Sequence, residues 1–296
     1  MSVNASKIRL SGLPLETAEQ LSETLEFEHE EVVQACAIDI DDEDKGLWRL
    51  EVYGMPDGDP DILLDAVKEL VSRQKLPSLQ PEIIEIENHD WVAKTQSDLA
   101  PVRAGRFFVH GSHDRAHRPP GGISIEIEAA QAFGTGHHAT TQGCLMALDH
   151  LLKLGSPRHV LDLGCGSGVL AIAAALATRR QVMAGDIDPL AVRIATENAV
   201  SNGAGSLFRA VTANGARHRQ IAEAAPYDLV FANILARPLE VLAPEIASVL
   251  APSGRAILSG LMVSQEARVL GAYRLQGLHL QNRIRLEGWS TLTLAS

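Results

Sequence analysis

The stretch "VLDLGCGSGVLAIAAALA", residues 160–177, decides how the rest of the chain is read. A short apolar strand runs into a turn with glycines at 164, 166 and 168, and a continuous apolar helix follows. Glycine at these positions lets the backbone turn tightly and approach a ligand with no Cβ in the way. The helix start behind the turn offers free N–H groups. The spacing is G-x-G-x-G, without the extra residue of the dinucleotide fingerprint G-x-G-x-x-G. Asp162, just before the turn, adds a carboxylate that would repel a pyrophosphate and suit an ammonium or sulfonium group.

Reading outward, "HVLDLG", "QVMAGDID", "SLFRAVTA", "YDLVFANI" and "RAILSG" are five short apolar strands, and helical stretches lie between most of them. Such βαβ alternation specifies an α/β fold with a doubly wound, mostly parallel, Rossmann-like sheet. Near the C-terminus "LHLQNRIRLEGWSTLTLA" reads as two extended runs around a turn at "EGW", a terminal antiparallel hairpin. Asp186 ends the second strand, 22 positions after Gly164, where an acid hydrogen-bonds ribose hydroxyls in folds of this kind. Asp188 precedes Pro189 and reads as a helix cap. Asn233 ends the fourth strand and delivers an amide to the carboxyl edge of the sheet, where ligands bind.

The first 87 residues have a different texture. They read as strand, helix, strand, strand, helix, strand, the ferredoxin-like α+β pattern. "LETAEQLSETLEF" spaces Leu15, Ala18, Leu21 and Leu25 for a helix, and "DPDILLDAVKELVSRQ" opens on an Asp cap and repeats Ile62, Leu63, Ala66 and Leu70. The expected organisation is a domain over 1–87, a linker over 88–105 and a second domain over 106–296.

Bulk properties narrow the function. A net charge of −11 argues against nonspecific nucleic-acid or membrane binding and is compatible with a basic protein partner. Three scattered cysteines, Cys36, Cys144 and Cys165, make no disulfide framework. The opening residues hold no apolar signal core, and the longest apolar run is too short to span a bilayer. A soluble, cytoplasmic protein is expected. Cys165 has no obvious base beside it and reads as a small loop residue.

Upstream of the glycine turn, "AFGTGHHATTQG" at 132–143 poses a choice between a metal site and a ligand-binding loop. His137 and His138 are adjacent, so in an extended loop they point opposite ways and do not share an ion. His110, His113 and His117 are spaced more like ligands but lack a fourth candidate nearby. No metal is expected.

Taken together, "DLGCGSG", "GDIDP", "ANIL" and the upstream "AFGTGHHATT" resemble the class I S-adenosylmethionine-dependent methyltransferases, and among them the ribosomal protein L11 methyltransferase family (PrmA), whose members carry a near-identical F-G-T-G-x-H-x-T-T stretch. The resemblance covers essentially the whole chain. It implies that Thr141, Gly164, Asp186 and Asn233 contact S-adenosylmethionine, that Phe133, Gly134, Gly136 and Thr140 shape the same wall, and that the loop binds no metal. Asp162 and Gly166 join this set from the turn itself, and Asn233 is the candidate for orienting the amine. The family usually has Thr and Pro where this chain has His137 and Ala139, so its loop is less constrained here. The implied reaction is methylation of the N-terminal α-amine and lysine ε-amines of ribosomal protein L11, with the first domain docking that substrate. A related lysine methyltransferase acting on another protein, such as an electron-transfer flavoprotein subunit, is the alternative. A nicotinamide dehydrogenase is disfavoured by the glycine spacing and by Asn233. By analogy with similar single-cofactor folds, a monomer without membrane or direct nucleic-acid partners is expected.

Overall fold

The computed structural model describes residues 6–29, 31–42, 45–55, 58–76, 79–85, 101–127 and 138–296. Phe133, Gly134, Gly136 and His137 lie outside the described residues, as does 88–100 of the expected linker. The described residues form two compact units, 6–85 and 101–296.

The first unit runs β1 (Ser6–Leu13), α1 (Leu15–Glu28), β2 (Val33–Asp42), β3 (Leu47–Gly54), α2 (Pro60–Arg73) and β4 (Glu82–Glu85). Its sheet has the order β2-β3-β1-β4 with every pair antiparallel, the ferredoxin-like arrangement. Strand alternation sends Ile8, Leu10, Leu50 and Val52 into a core closed by Ala18, Leu21 and Leu25 of α1. The cap expected for α2 is present: the Asp59 carboxylate accepts the Asp61 N–H at 2.9 Å. Its apolar face corrects the sequence reading. Leu63, Ala66, Val67, Leu70 and Val71 are buried, while Ile62 is 54 % exposed. The pairs at 66–67 and 70–71 set the stripe, which turns Ile62 away from the sheet.

The second unit opens with β5 (Val102–Ala104), β6 (Phe107–His110) and β7 (Ile123–Glu126), which form a small sheet of their own in the order β5-β6-β7. Residues 102–104, expected in the linker, are therefore a strand, held antiparallel on β6 with Val102 and Ala104 buried. Then come α3 (His138–Leu154), β8 (Val160–Leu163), α4 (Val169–Thr178), β9 (Val182–Asp186), α5 (Pro189–Ser201), β10 (Phe208–Thr212), α6 (Arg219–Glu223), β11 (Tyr227–Asn233), α7 (Ala236–Val249), β12 (Leu250–Met262), α8 (Glu266–Arg274), β13 (His279–Leu286) and β14 (Trp289–Ala295).

The seven-stranded sheet has the order β10-β9-β8-β11-β12-β14-β13. Five strands are parallel, and β14 inserts antiparallel between β12 and β13 as the terminal hairpin requires. Both faces are covered, which is why the central strands are nearly continuous apolar runs. Val160, Leu229 and Phe231 pack toward α4, whose alanines lie close to the sheet, while Leu161, Leu163, Val230 and Ala232 pack toward α7 and α8. The chain leaves β8 for β9 on one side and returns to β11 on the other. In open sheets of this kind ligands bind at such a reversal, which here lies outside the carboxyl ends of β8 and β11. No described helix is long and apolar enough to cross a membrane.

Candidate active site at the carboxyl edge of the sheet

The turn after β8 is built as its glycines dictate. Gly164, Gly166 and Gly168 have φ of 67°, 50° and 80°, values that side-chain-bearing residues rarely adopt. Gly164 also has no room for a side chain, because a Cβ there would collide with Ile234 Cγ2. The Gly164 and Cys165 N–H groups donate to the Gly185 carbonyl at 2.8 and 3.1 Å, which ties the turn to β9.

Asp186 closes the other side. One carboxylate oxygen accepts the Gly166 N–H at 2.8 Å, and the other accepts the Asp188 N–H at 3.0 Å. An ionised carboxylate has about four acceptor positions, so each oxygen keeps capacity for a further donor. That is what a pair of ribose hydroxyls needs. Asp188 does what its sequence position suggested, capping α5 by accepting the Leu190 N–H at 2.8 Å.

The structure places Asp162 beneath the turn. Strand alternation turns it toward α4, where Oδ2 accepts the Ala171 N–H at 3.0 Å and serves as the cap that Gly168 cannot provide. It is only 1 % exposed. Burial pushes its pKa up, the single N–H bond offsets part of this, and the Asp186 charge adds to the rise, to about 7. Cys165 is buried as well, and burial beside these two acids lifts its thiol above the ordinary range. It is no activated nucleophile.

Asn233 stands half-buried at the end of β11, in register with Ser259 of β12, one residue past the Ala232–Leu163 pair. Among the described residues its carboxamide has no hydrogen-bond partner. Thr140 and Thr141 lie in the first turn of α3, both buried. Gly164, Gly166, Asp186 and Asn233 are thus brought to one edge, and Asp162 supports it from below.

Sequence reasoning missed what holds Asn233 in place. The Ile234 N–H donates to the Ser259 carbonyl at 3.1 Å. Gly260, with φ of 82°, leaves no room for a Cβ against the Ile234 backbone. Pairing of β12 with β14 slips between Leu258 and Leu261, a bulge at Ser259–Gly260. The Ser259 hydroxyl meets the Thr291 hydroxyl at 2.9 Å, and Gly143 of α3 packs on Thr291 so closely that a Cβ would collide with it. This buried contact ties the helix carrying Thr140 and Thr141 to the strand end that carries Asn233. A lone glycine inside the strand pattern "ILSGLM" is the signal that points to such a bulge.

His110, His113 and His117, spaced more like ligands, each have other partners. His110 is buried, with its ring nitrogens 2.6 Å from the Gly111 carbonyl and 2.7 Å from the Ser124 hydroxyl. His113 and His117 flank Asp114 at 3.2 and 3.0 Å. Among the described residues no group of three or more His, Cys, Asp or Glu side chains gathers around a common point.

Comparison with known proteins identifies the family. Residues 14–296 match the family model described as ribosomal protein L11 methyltransferase (PrmA). The chain is 44 % identical over 277 residues to a ribosomal protein L11 methyltransferase of Allorhizobium ampelinum, covering 94 % of this chain and 95 % of that one. It is 55 % identical over 209 residues to the Bradyrhizobium diazoefficiens protein of the same name, covering 71 % of each. Among solved structures, ribosomal protein L11 methylase from Lactobacillus delbrueckii subsp. bulgaricus superposes with a TM-score of 0.60 at 26 % identity, over 67 % of this chain and 98 % of that one. With a class I methyltransferase sheet, a glycine turn opposite Asp186 and Asn233, and a family match over nearly its whole length, the chain belongs to the ribosomal protein L11 methyltransferase (PrmA) family.

Proposed function

We propose that this protein transfers methyl groups from S-adenosylmethionine to the N-terminal α-amine and lysine ε-amines of ribosomal protein L11, acting as a cytoplasmic monomer with residues 1–87 recognising the substrate. The observation that carries the reading is the pairing, across one glycine turn, of a half-satisfied Asp186 carboxylate with an Asn233 carboxamide that has no partner among the described residues. The net charge of −11 suits a basic partner.

When bound, S-adenosylmethionine supplies a methyl group on positively charged sulfur, open to in-line attack by a nitrogen lone pair. Asp186 would hold the ribose hydroxyls, and Gly164 and Gly166 would let the backbone approach. Thr141, Thr140, Phe133, Gly134 and Gly136 would contribute the facing wall. Asp162 contributes by holding the start of α4 beneath the turn. The Asn233 carbonyl oxygen would accept a hydrogen bond from the substrate amine N–H and so aim the lone pair.

The energetics support a positioning mechanism. A free lysine amine, with a pKa near 10.4, is neutral roughly one time in a thousand at neutral pH, a cost of about 4–5 kcal/mol. Orientation of reactants contributes about 7–11 kcal/mol, so placing the amine outweighs deprotonating it without a strong base.

The test is mass spectrometry of unmethylated ribosomal protein L11 after incubation with the protein and S-adenosylmethionine. Mass gains in one-methyl steps, mapped to the N-terminus and lysines, are expected. No gain, with cofactor binding intact, would move the substrate to another protein. Asn233→Ala should lower kcat by about 100-fold, and full activity with unchanged cofactor affinity would remove Asn233 from the mechanism.

A further inference from the structure

Helix α5 begins three residues after Asp186 and meets the site's surroundings at three more points. Ala195 packs on the glycine turn, where a Cβ added to Gly168 would lie 3.0 Å from Ala195 Cβ. One turn along the same helix, Asn198 Nδ2 donates to the Ser167 carbonyl at 3.0 Å, inside the turn. A further turn on, Asn202 pairs with both main-chain groups of Glu126. It accepts the Glu126 N–H at 2.7 Å through Oδ1, and its Nδ2 donates to the Glu126 carbonyl at 2.8 Å. The same Nδ2 reaches the Asn198 carbonyl at 2.9 Å.

Glu126 is the last residue of β7, whose other edge pairs with β6 through His110. The Asn202 carboxamide therefore stands where a neighbouring strand residue would stand, since it alone among compact side chains offers a donor and an acceptor in one plane. In sequence, β7 leads directly into the segment that carries F-G-T-G. Asparagine is a poor helix former. Asn198 inside α5 and Asn202 at its C-cap, four residues apart, each also bond main chain outside the helix.

We infer that Asn198 and Asn202 are positioning residues for the cofactor pocket. They fix the glycine turn and the end of β7 to one helix, so that the wall formed by the turn is set from the same body as Asp186. The inference rests on the reading of S-adenosylmethionine as the cofactor.

The test is calorimetric titration of the full-length protein with S-adenosylmethionine, alongside melting curves and steady-state kinetics. Asn198→Asp and Asn202→Asp preserve shape and remove donation, placing a carboxylate against a carbonyl. Each should raise the cofactor Kd roughly five- to tenfold, the effect of losing one part-buried hydrogen bond. The cofactor KM should rise in step while kcat at saturation changes less than about threefold. Val200→Gly, at an exposed position of α5, weakens the helix without touching either carbonyl and should leave the Kd within about twofold. Unchanged Kd in the folded Asp variants overturns the inference, as does an equal loss in Val200→Gly, which would mean that affinity follows helix stability. If Asn202→Asp fails to fold, Asn198→Asp decides the question at the turn. A wild-type protein that binds no S-adenosylmethionine overturns the cofactor reading and this inference with it, whereas tight wild-type binding with unaffected variants overturns the inference alone.

Discussion

Two acids in this chain have their pKa values pushed in opposite directions. Glu51, on β3 of the first unit, accepts hydrogen bonds from Lys7 Nζ at 2.9 Å, Arg9 at 2.8 and 3.1 Å, and the Tyr53 hydroxyl at 2.8 Å. Burial raises its pKa, but these donors prevail and bring it to about 2. Asp162, on β8 of the second unit, has one backbone N–H and an acid for a neighbour, and burial lifts it to about 7. The first carboxylate is saturated by its own sheet and has nothing left to offer a ligand. The second sits under an edge where the side chains above it, Asp186 and Asn233, are left with bonding capacity. A structural charge is surrounded by its opposites, whereas a binding edge is left incomplete and bears a cost for it.

The largest effect that would break this contrast is the pH dependence of stability at Asp162. Its folded pKa lies above the unfolded value of about 3.9, so the folded state keeps a proton the unfolded chain has lost. Stability falls as pH rises from about 4 to 7 and is flat above, by roughly 3–4 kcal/mol in total. Asp162→Asn removes that slope and retains an acceptor for Ala171 N–H. Denaturant unfolding of both proteins from pH 4 to 8 should show their difference changing by that amount in favour of the variant. A difference independent of pH would mean that Asp162 does not titrate in this window.

Next in size is Asp186→Ala, which strips two turn N–H groups of their acceptor as well as removing the ribose partner. Cofactor affinity should drop by about 100-fold, close to 2.7 kcal/mol. Calorimetry that returned a Kd within threefold of wild type would place the ribose elsewhere.

Much of this was legible in the sequence, for physical reasons that differ from residue to residue. Strand, glycine turn and helix at 160–177 leave little choice, because three glycines in a row of alternating positions have no use in a plain strand or helix. The cap roles of Asp59 and Asp188 followed from Pro just inside each helix. Ile62 misled because four apolar residues fit two overlapping stripes, and only packing on the sheet selects one. Residues 102–104 are too short a strand to declare themselves; pairing with β6 makes them one. Thr291, Asn198 and Asn202 act through contacts with residues distant in sequence, so no local pattern marks them.

A smaller effect sharpens the other half of the contrast. Glu51→Gln leaves Lys7 and Arg9 without their anion, and the Arg9 side chain is 32 % exposed, so screening discounts the full shift. The expected cost is about 1–2 kcal/mol at neutral pH. Because the folded pKa is depressed, this stability is present above about 4.5 and is lost as pH falls toward 2. Unfolding curves at pH 7 and pH 2.5 check it, and cofactor affinity should not move. A weakened Kd in this variant would mean that the charge network of the first unit also serves the binding edge.

The same contrast recurs at its shortest range between Asp186 and Asp188, and here the expected effect is smallest. Asp188 spends its side chain on the Leu190 N–H, while it is its backbone N–H that Asp186 accepts. Asp188→Ala therefore removes a cap and leaves the Asp186 arrangement its donor. The loss should be about 1 kcal/mol of stability, read as a melting shift of roughly 2–4 °C for a unit of this size, with the cofactor Kd within about threefold of wild type. Two carboxylates two residues apart would then differ in affinity effect by more than tenfold and be separated by side-chain direction alone. Should Asp188→Ala weaken binding as much as Asp186→Ala, the start of α5 and not the free capacity of Asp186 would set affinity, and the ribose assignment would pass to the loop as a whole.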